Sequence, residues 1–297
     1  MMKNHRLCLG TAKIGDPTYG FSTSKQQSDY IKFLKKCYKH GIDSFDTSPR
    51  YDDSEEKLGY FFSKETLDPF VSTKIDNLKQ NNKNTPKEML ESINKSRERL
   101  NIDVIDLCYL HQNAIEIISD EYVQEGIFSL KDMGLIKESG TSIYSMEELE
   151  YTIESGIYEW IQVPLNILDI SFYNRIISYN LPIKIAARSI FLQGIMFDKL
   201  NIRRFIPNSE EMINDIERIT EIASEYDKDF KELSVQYLFN LDKISMIIFG
   251  STSIENINFI QKCQSQKLPN ELLMKISNIS SEPKQWTNPR GWLKKYE

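Results

Sequence analysis

The sequence predicts a single α/β domain over residues 1–297, folded as a (β/α)8 barrel. Three observations predict it. The chain has 297 residues, enough for one large α/β barrel of about 250 residues with its loops. Helical patterns alternate with short apolar runs along its length, as parallel strands joined by crossovers require. An open doubly wound sheet shares that alternation. The third observation favours the barrel: polar residues of catalytic type stand at the ends of several different strands.

The elements follow in order. Arg6 to Leu9 is a first short strand. Ser24-x-x-Gln27 has the form of a capping box, in which side chains satisfy the first free N–H groups of a helix. Ile31, Leu34 and Tyr38 continue that helix, and Gly41 closes it in a left-handed turn. Ile42 to Phe45 reads as the second strand, Asp53-x-x-Glu56 as the start of a short helix, and Phe70 to Thr73 as the third strand. The Asn-rich stretch from Lys79 to Thr85 is a surface loop. Pro86 then occupies a first helical turn, where its missing N–H costs nothing. Met89, Ile93, the stem of Arg97 and Leu100 form the buried stripe of this helix. Val104 to Leu110 is the fourth strand. A helix from Asp120 to Met133 leads to a fifth at Ile136 to Thr141. Ser145-x-x-Glu148 opens the next helix and Gly156 ends it. Trp160 to Val163, Ile183 to Ala187 and Ile244 to Phe249 complete about eight strands.

Composition excludes several classes. The formal charge of −6 argues against a binder of phosphate backbones. No run of about 18 apolar residues exists to span a membrane. The N-terminal Met1-Met2-Lys3-Asn4-His5-Arg6 lacks the apolar stretch of a secretory signal. Cys8, Cys37, Cys108 and Cys263 form no CxxC pair, so no metal site is expected and a reducing cytoplasm is. No sequence signature sets an oligomeric state.

The second strand runs into Asp46 and Tyr51, the third ends at Lys74 and the fourth at His111. On a barrel these converge at the carboxyl ends of the strands. Their chemistry is coherent for carbonyl reduction. A free tyrosine, with a pKa near ~10, exchanges protons poorly at neutral pH. A neighbouring ammonium, Lys74, would lower that value, and Asp46 would hold Lys74 charged and in place. His111 would orient the carbonyl oxygen beside the Tyr51 hydroxyl. No side chain donates a hydride, so a cofactor must. Singly, each has an ordinary explanation: Asp46 a helix cap, Tyr51 a half-buried aromatic, Lys74 a loop charge, His111 a hydrogen-bonding residue. Together, in this order, they are a constellation.

That constellation resembles the Asp-Tyr-Lys-His tetrad of the aldo-keto reductase superfamily, whose fold is the TIM barrel. The segment Gly41 to Ser48 with Tyr51 is the most specific match, and Leu9-Gly10-Thr11-Ala12 is similar to the family's first cofactor-contacting turn. The resemblance implies an NAD(P)H-dependent reduction of an aldehyde or ketone, of a sugar or another small carbonyl compound, with Tyr51 as general acid. It places Gly10 and Thr11 on the cofactor and Ser142 and Gln162 on the nicotinamide carboxamide. Arg188, Ser189, Phe191 and Gln193 then belong to a pyrophosphate-binding loop, and Gly250, Ser251, Thr252 and Asn256 to the adenosine phosphate.

Three positions depart from the family pattern. Ile143 stands where an asparagine is usual. Arg188 replaces a nicotinamide-stacking aromatic; its charge repels the oxidised ring and so favours the reduced cofactor. No basic residue lies between Phe249 and Ile260, so the clamp for a 2′-phosphate is weak. NADPH is the family default, and NADH use stays open. A second reading is a cofactor-binding barrel with a regulatory or scaffold role and little turnover. Lys199, Arg203 and Arg204 read as ordinary loop charges; the alternative is that they face an anionic substrate, such as a phosphorylated or nucleotide-linked sugar.

Overall fold

The structure, a computed structural model, describes residues 6–21, 29–111 and 114–293. Eight parallel strands close into a barrel in the order β1 to β8, with β1 pairing both β2 and β8. They are β1 (Arg6–Gly10), β2 (Ser44–Asp46), β3 (Phe70–Ile75), β4 (Ile105–Leu110), β5 (Ile136–Ser142), β6 (Trp160–Pro164), β7 (Lys184–Arg188) and β8 (Ile244–Gly250). Every strand expected from the sequence is present, displaced at its ends by a residue or two. The apolar runs are continuous rather than alternating because helices cover the outer face while side chains fill the interior. Among the described residues, no helix is long and apolar enough to cross a membrane.

Local chemistry sets the helix ends. Ser145 accepts from Glu148 N while Glu148 reaches back, a complete capping box, and Gly156 closes the helix Met146–Ser155 at φ 65°. Gly41 has φ 79°, the left-handed turn that carries the chain from helix Tyr30–Lys39 into β2. The start expected at Ser24 and Gln27 lies outside the described residues; the helix begins at Tyr30, with Asp29 accepting from Lys32 N. Asp53 is the residue before helix Ser54–Lys64 but does not cap it. Its carboxylate instead pairs with Lys57 at 2.6 Å, one turn on. An ammonium in reach outcompetes a neutral N–H for that oxygen.

Two features hold the site end in register. Glu55, fully buried, accepts from Thr73 Oγ1 at 2.6 Å and from Arg99 Nε at 2.7 Å, tying β3 to the helices outside it. Register alignment sets Gly10 beside Asp46, Asp46 beside Ser72, and Ser142 beside Gln162. The carboxyl ends of neighbouring strands therefore finish level, and their terminal side chains face one cleft. All four cysteines are buried, and none forms a disulfide among the described residues.

Candidate active site

The cleft lies over the carboxyl ends of the strands and is lined by Asp46, Tyr51, His111, Ser142, Gln162 and Arg188, among others. Beneath Tyr51 sits a buried ion pair. Lys74 Nζ donates to Asp46 Oδ2 at 2.8 Å and to the carbonyl of Thr47 at 2.7 Å. Asp46 Oδ1 accepts from Ser72 Oγ at 2.9 Å and from Gln162 Nε2 at 3.0 Å. A buried carboxylate needs such a complete set of partners. Gln162 is oriented in turn by Ser142, which donates to its Oε1 at 2.9 Å.

Lys74 is 1% exposed and lies 5.0 Å from the centre of the Tyr51 ring. Burial, the largest influence, opposes its charge, yet Asp46 and Tyr51 outweigh burial and hold its pKa above the ordinary lysine value. Tyr51 behaves differently from the sequence expectation. Burial raises its pKa, and the lowering by Lys74 does not overcome that. The phenol therefore keeps its proton at neutral pH: it is poised as an acid rather than as a phenolate.

His111 completes the group. Its ring lies edge-on to Tyr51, with centroids 6.2 Å apart. Burial first, then the charges of Lys74, Arg50 and Arg188, push its pKa down to about 3. Asp76 lies 3.7 Å from Nδ1, but it is already paired with Arg50, so it does not charge the imidazole. Ser48 Oγ, 3.2 Å from His111 Nδ1, accepts from Arg50 N. Where Ser48 donates to Nδ1, the neutral ring carries its N–H on Nε2.

Three residues placed on the cofactor by the sequence do not line the cleft. Thr11 is fully buried; its hydroxyl donates to the Asp46 carbonyl at 3.0 Å and accepts from Ser54 at 2.7 Å, so it anchors β1 to β2. Ser251 turns into its own loop, accepting from Ser253 N at 3.0 Å, and Thr252 beside it is likewise outside the lining. Gly10, Ser142, Gln162, Arg188, Ser189, Phe191, Gln193, Gly250 and Asn256 all line the cleft. Lys199 pairs with Glu217 at 2.7 Å, Arg203 with Glu210 at 3.0 Å, and Arg204 packs on Phe205. None of the three reaches the cleft lining, and they stand on the short helix Lys199–Phe205 rather than in a loop.

Sequence reasoning missed Tyr144, Tyr19, Lys231 and Phe259, all of which line the cleft. The Arg188 guanidinium stacks 4.0 Å from the Tyr144 ring centre and donates to the Ile143 carbonyl at 3.0 Å. Arg290 lies 3.9 Å from the same centre. Two guanidiniums at that distance cannot share one face, so Tyr144 is held between them. Ile143, at the position where an asparagine was expected, is buried and offers only its backbone.

A parallel barrel that sets a tyrosine hydroxyl over a buried Lys–Asp pair at the carboxyl ends of its strands has the chemistry to exchange a proton with a molecule bound in the cleft. The chain belongs to the aldo/keto reductase family, whose sequence profile matches residues 6–280. It is 26% identical over 277 residues to D-arabinose 1-dehydrogenase of Saccharomyces cerevisiae, covering 84% of this chain and 80% of that one. It is 23% identical over 318 aligned positions to L-galactose dehydrogenase of Arabidopsis thaliana, covering 98% of this chain and 99% of that one. Among solved structures, glycerol dehydrogenase from Gluconobacter oxydans superposes with a TM-score of 0.71 at 18% identity, covering 94% of each chain. A second structure, solved with NADPH, superposes with a TM-score of 0.67 at 16% identity, covering 93% of this chain and 89% of its own.

Proposed function

We propose that this oxidoreductase reduces an aldehyde or ketone to an alcohol with NAD(P)H, and that Tyr51 is its general acid. The observation that carries the reading is the buried Lys74–Asp46 pair beneath Tyr51. Such a pair costs desolvation energy, and a barrel that only bound a cofactor would have no use for it. The regulatory alternative is therefore the weaker one.

The cleft suits a dinucleotide. Arg188 Nε is buried without a protein partner in a residue that lines the cleft, a donor left for a ligand. Lys13 and Arg188 bring positive charge to the same lining, as a pyrophosphate would require. Ser142 and Gln162 would hold the carboxamide, Ser189, Phe191 and Gln193 the pyrophosphate side, and Gly10, Gly250 and Asn256 the adenosine side. Thr11, Ser251 and Thr252 would shape these turns from behind. The bound nicotinamide supplies the hydride for the carbonyl carbon.

The protein's own residues manage the proton. His111 Nε2–H donates to the carbonyl oxygen and sets it beside the Tyr51 hydroxyl. Tyr51 gives up its proton as negative charge develops on that oxygen, and Lys74 stabilises the phenolate left behind. Asp46 keeps Lys74 charged and fixed. In the reverse direction the same groups oxidise a CH–OH group with NAD(P) as acceptor. The names of the D-arabinose and L-galactose dehydrogenases favour a sugar or sugar derivative as substrate. NADPH is the expected cofactor, with NADH as the competitor, and a cytoplasmic location fits such a supply.

The test is a panel of sugars and small aldehydes with each reduced cofactor, following cofactor consumption. Turnover that falls by about 10²-fold or more in Tyr51→Phe is expected. Cofactor binding with no turnover on any carbonyl compound would favour the regulatory reading instead.

A further inference from the structure

Resting on the reading that the cleft takes a nicotinamide dinucleotide, the structure singles out a residue for cofactor choice. The loop after β8 offers no positive charge between Phe249 and Ile260. The cleft is not without one at that end. Gly250, Asn256, Phe259 and Ile260 line it from β8 and the following helix, Ile254–Gln264, and Lys231 joins them from the first turn of helix Phe230–Phe239.

Lys231 is placed there by an aromatic face rather than by an ion pair. Its Nζ lies 4.8 Å from the ring centre of Phe259. The acids flanking it in sequence are committed elsewhere. Asp229 caps the helix by accepting from Glu232 N at 2.8 Å. Glu232 Oε1 accepts from Gln236 at 2.5 Å and lies 3.8 Å from Lys228. Among the described residues, Lys231 has no carboxylate within 4.0 Å. A cation–π contact at an exposed site is a weak attraction. That is enough to bias the side chain toward the cleft and too little to consume its three N–H donors.

We propose that Lys231 reads the 2′-phosphate of NADP(H), supplying from the helix before β8 the charge that the loop after β8 lacks. A phosphate monoester carries nearly two negative charges and three acceptor oxygens, which an ammonium on a flexible stem can meet from one side. Asn256 Nδ2 lies 3.4 Å from Ser251 Oγ in the same wall and offers a neutral amide to the same oxygens. A cofactor with a free 2′-hydroxyl gives Lys231 nothing to neutralise. The residue would therefore discriminate between the two cofactors rather than strengthen both.

The experiment is a binding titration, independent of turnover, following quenching of tryptophan fluorescence. Wild type, Lys231→Met and Lys231→Glu are each titrated with NADPH, NADH, 2′,5′-ADP and AMP. Lys231→Met keeps the stem over Phe259, and an unchanged melting temperature shows that the helix is intact. The expected result is a roughly tenfold weaker NADPH and 2′,5′-ADP affinity in Lys231→Met, and a further loss in Lys231→Glu. NADH and AMP should stay within about twofold, while the salt dependence of NADPH binding should diminish. Equal losses for NADPH and NADH would assign Lys231 to the pyrophosphate, and no loss would leave it a bystander; either overturns the proposal while the dinucleotide reading stands. Wild-type protein that binds neither dinucleotide would sink both.

Discussion

The side-chain amide of Gln162 donates to the Asp46 carboxylate at 3.0 Å, joining β6 to β2 through the barrel interior. Gln162, which lines the cleft, is thereby tied to the buried Asp46–Lys74 pair as well. Replacing it with leucine removes a hydrogen bond to a charged group, worth about 1.5–3 kcal/mol, and leaves the Ser142 hydroxyl without its acceptor. The ligand-free protein should lose roughly 2 kcal/mol in urea unfolding, and kcat should fall about tenfold. Unchanged stability would mean that Ser72 alone satisfies Asp46 Oδ1.

Tyr51 carries a pKa above its ordinary value because burial outweighs the nearby Lys74. The acid form needed for reduction is then present across neutral and moderately alkaline pH. Reduction should be flat there and fall only above pH ~10. Alcohol oxidation needs the phenolate, so its rate should climb with pH throughout the alkaline range. Rate profiles in both directions check this. A reduction limb that falls near neutrality would hand proton donation to another group.

Gly15 has a tighter constraint than its sequence context suggests. A Cβ there would sit 1.7 Å from the Tyr51 carbonyl oxygen, so the turn after β1 can approach Tyr51 only without a side chain. Gly15→Ala must push the Tyr51 backbone aside. A displacement near 1 Å can cost about 10²-fold in rate, so kcat should collapse and the melting temperature should drop. Gly291→Ala, where a Cβ meets nothing within 4 Å, is the control expected to behave as wild type. Full activity in Gly15→Ala would show that the turn yields without moving Tyr51.

The barrel was legible because short apolar runs bounded by turn residues mark parallel strands, and capping signals such as Ser145 with Glu148 mark helix starts. The same signal misled at Asp53, where Lys57 competes for the carboxylate. The tetrad was legible because strand ends converge in a barrel wherever they lie in sequence. The lining of the cleft was less so. Thr11 adjoins Gly10, yet its hydroxyl turns inward to a backbone carbonyl. Tyr144 and Lys231 reach the cleft by stacking on Arg188 and Phe259, contacts between elements that no spacing rule connects.

His111 makes acid pH a structural probe. Its folded-state pKa of about 3 lies below the unfolded value of 6.5, because burial and surrounding cations disfavour the charged ring. A depressed folded pKa means that the unfolded chain binds the proton more readily. The stabilisation is therefore full above pH 6.5 and is lost progressively as pH falls toward 3. For a side chain 20% exposed, it amounts to at most ~5 kcal/mol at 1.36 kcal/mol per pH unit. His111→Asn removes the titration, so its urea midpoint should decline less between pH 7.5 and 4.5, on the order of half the wild-type fall. Parallel declines would mean that the imidazole is solvated enough to protonate in place, and a neutral His111 could then no longer be the donor that orients the carbonyl below neutrality.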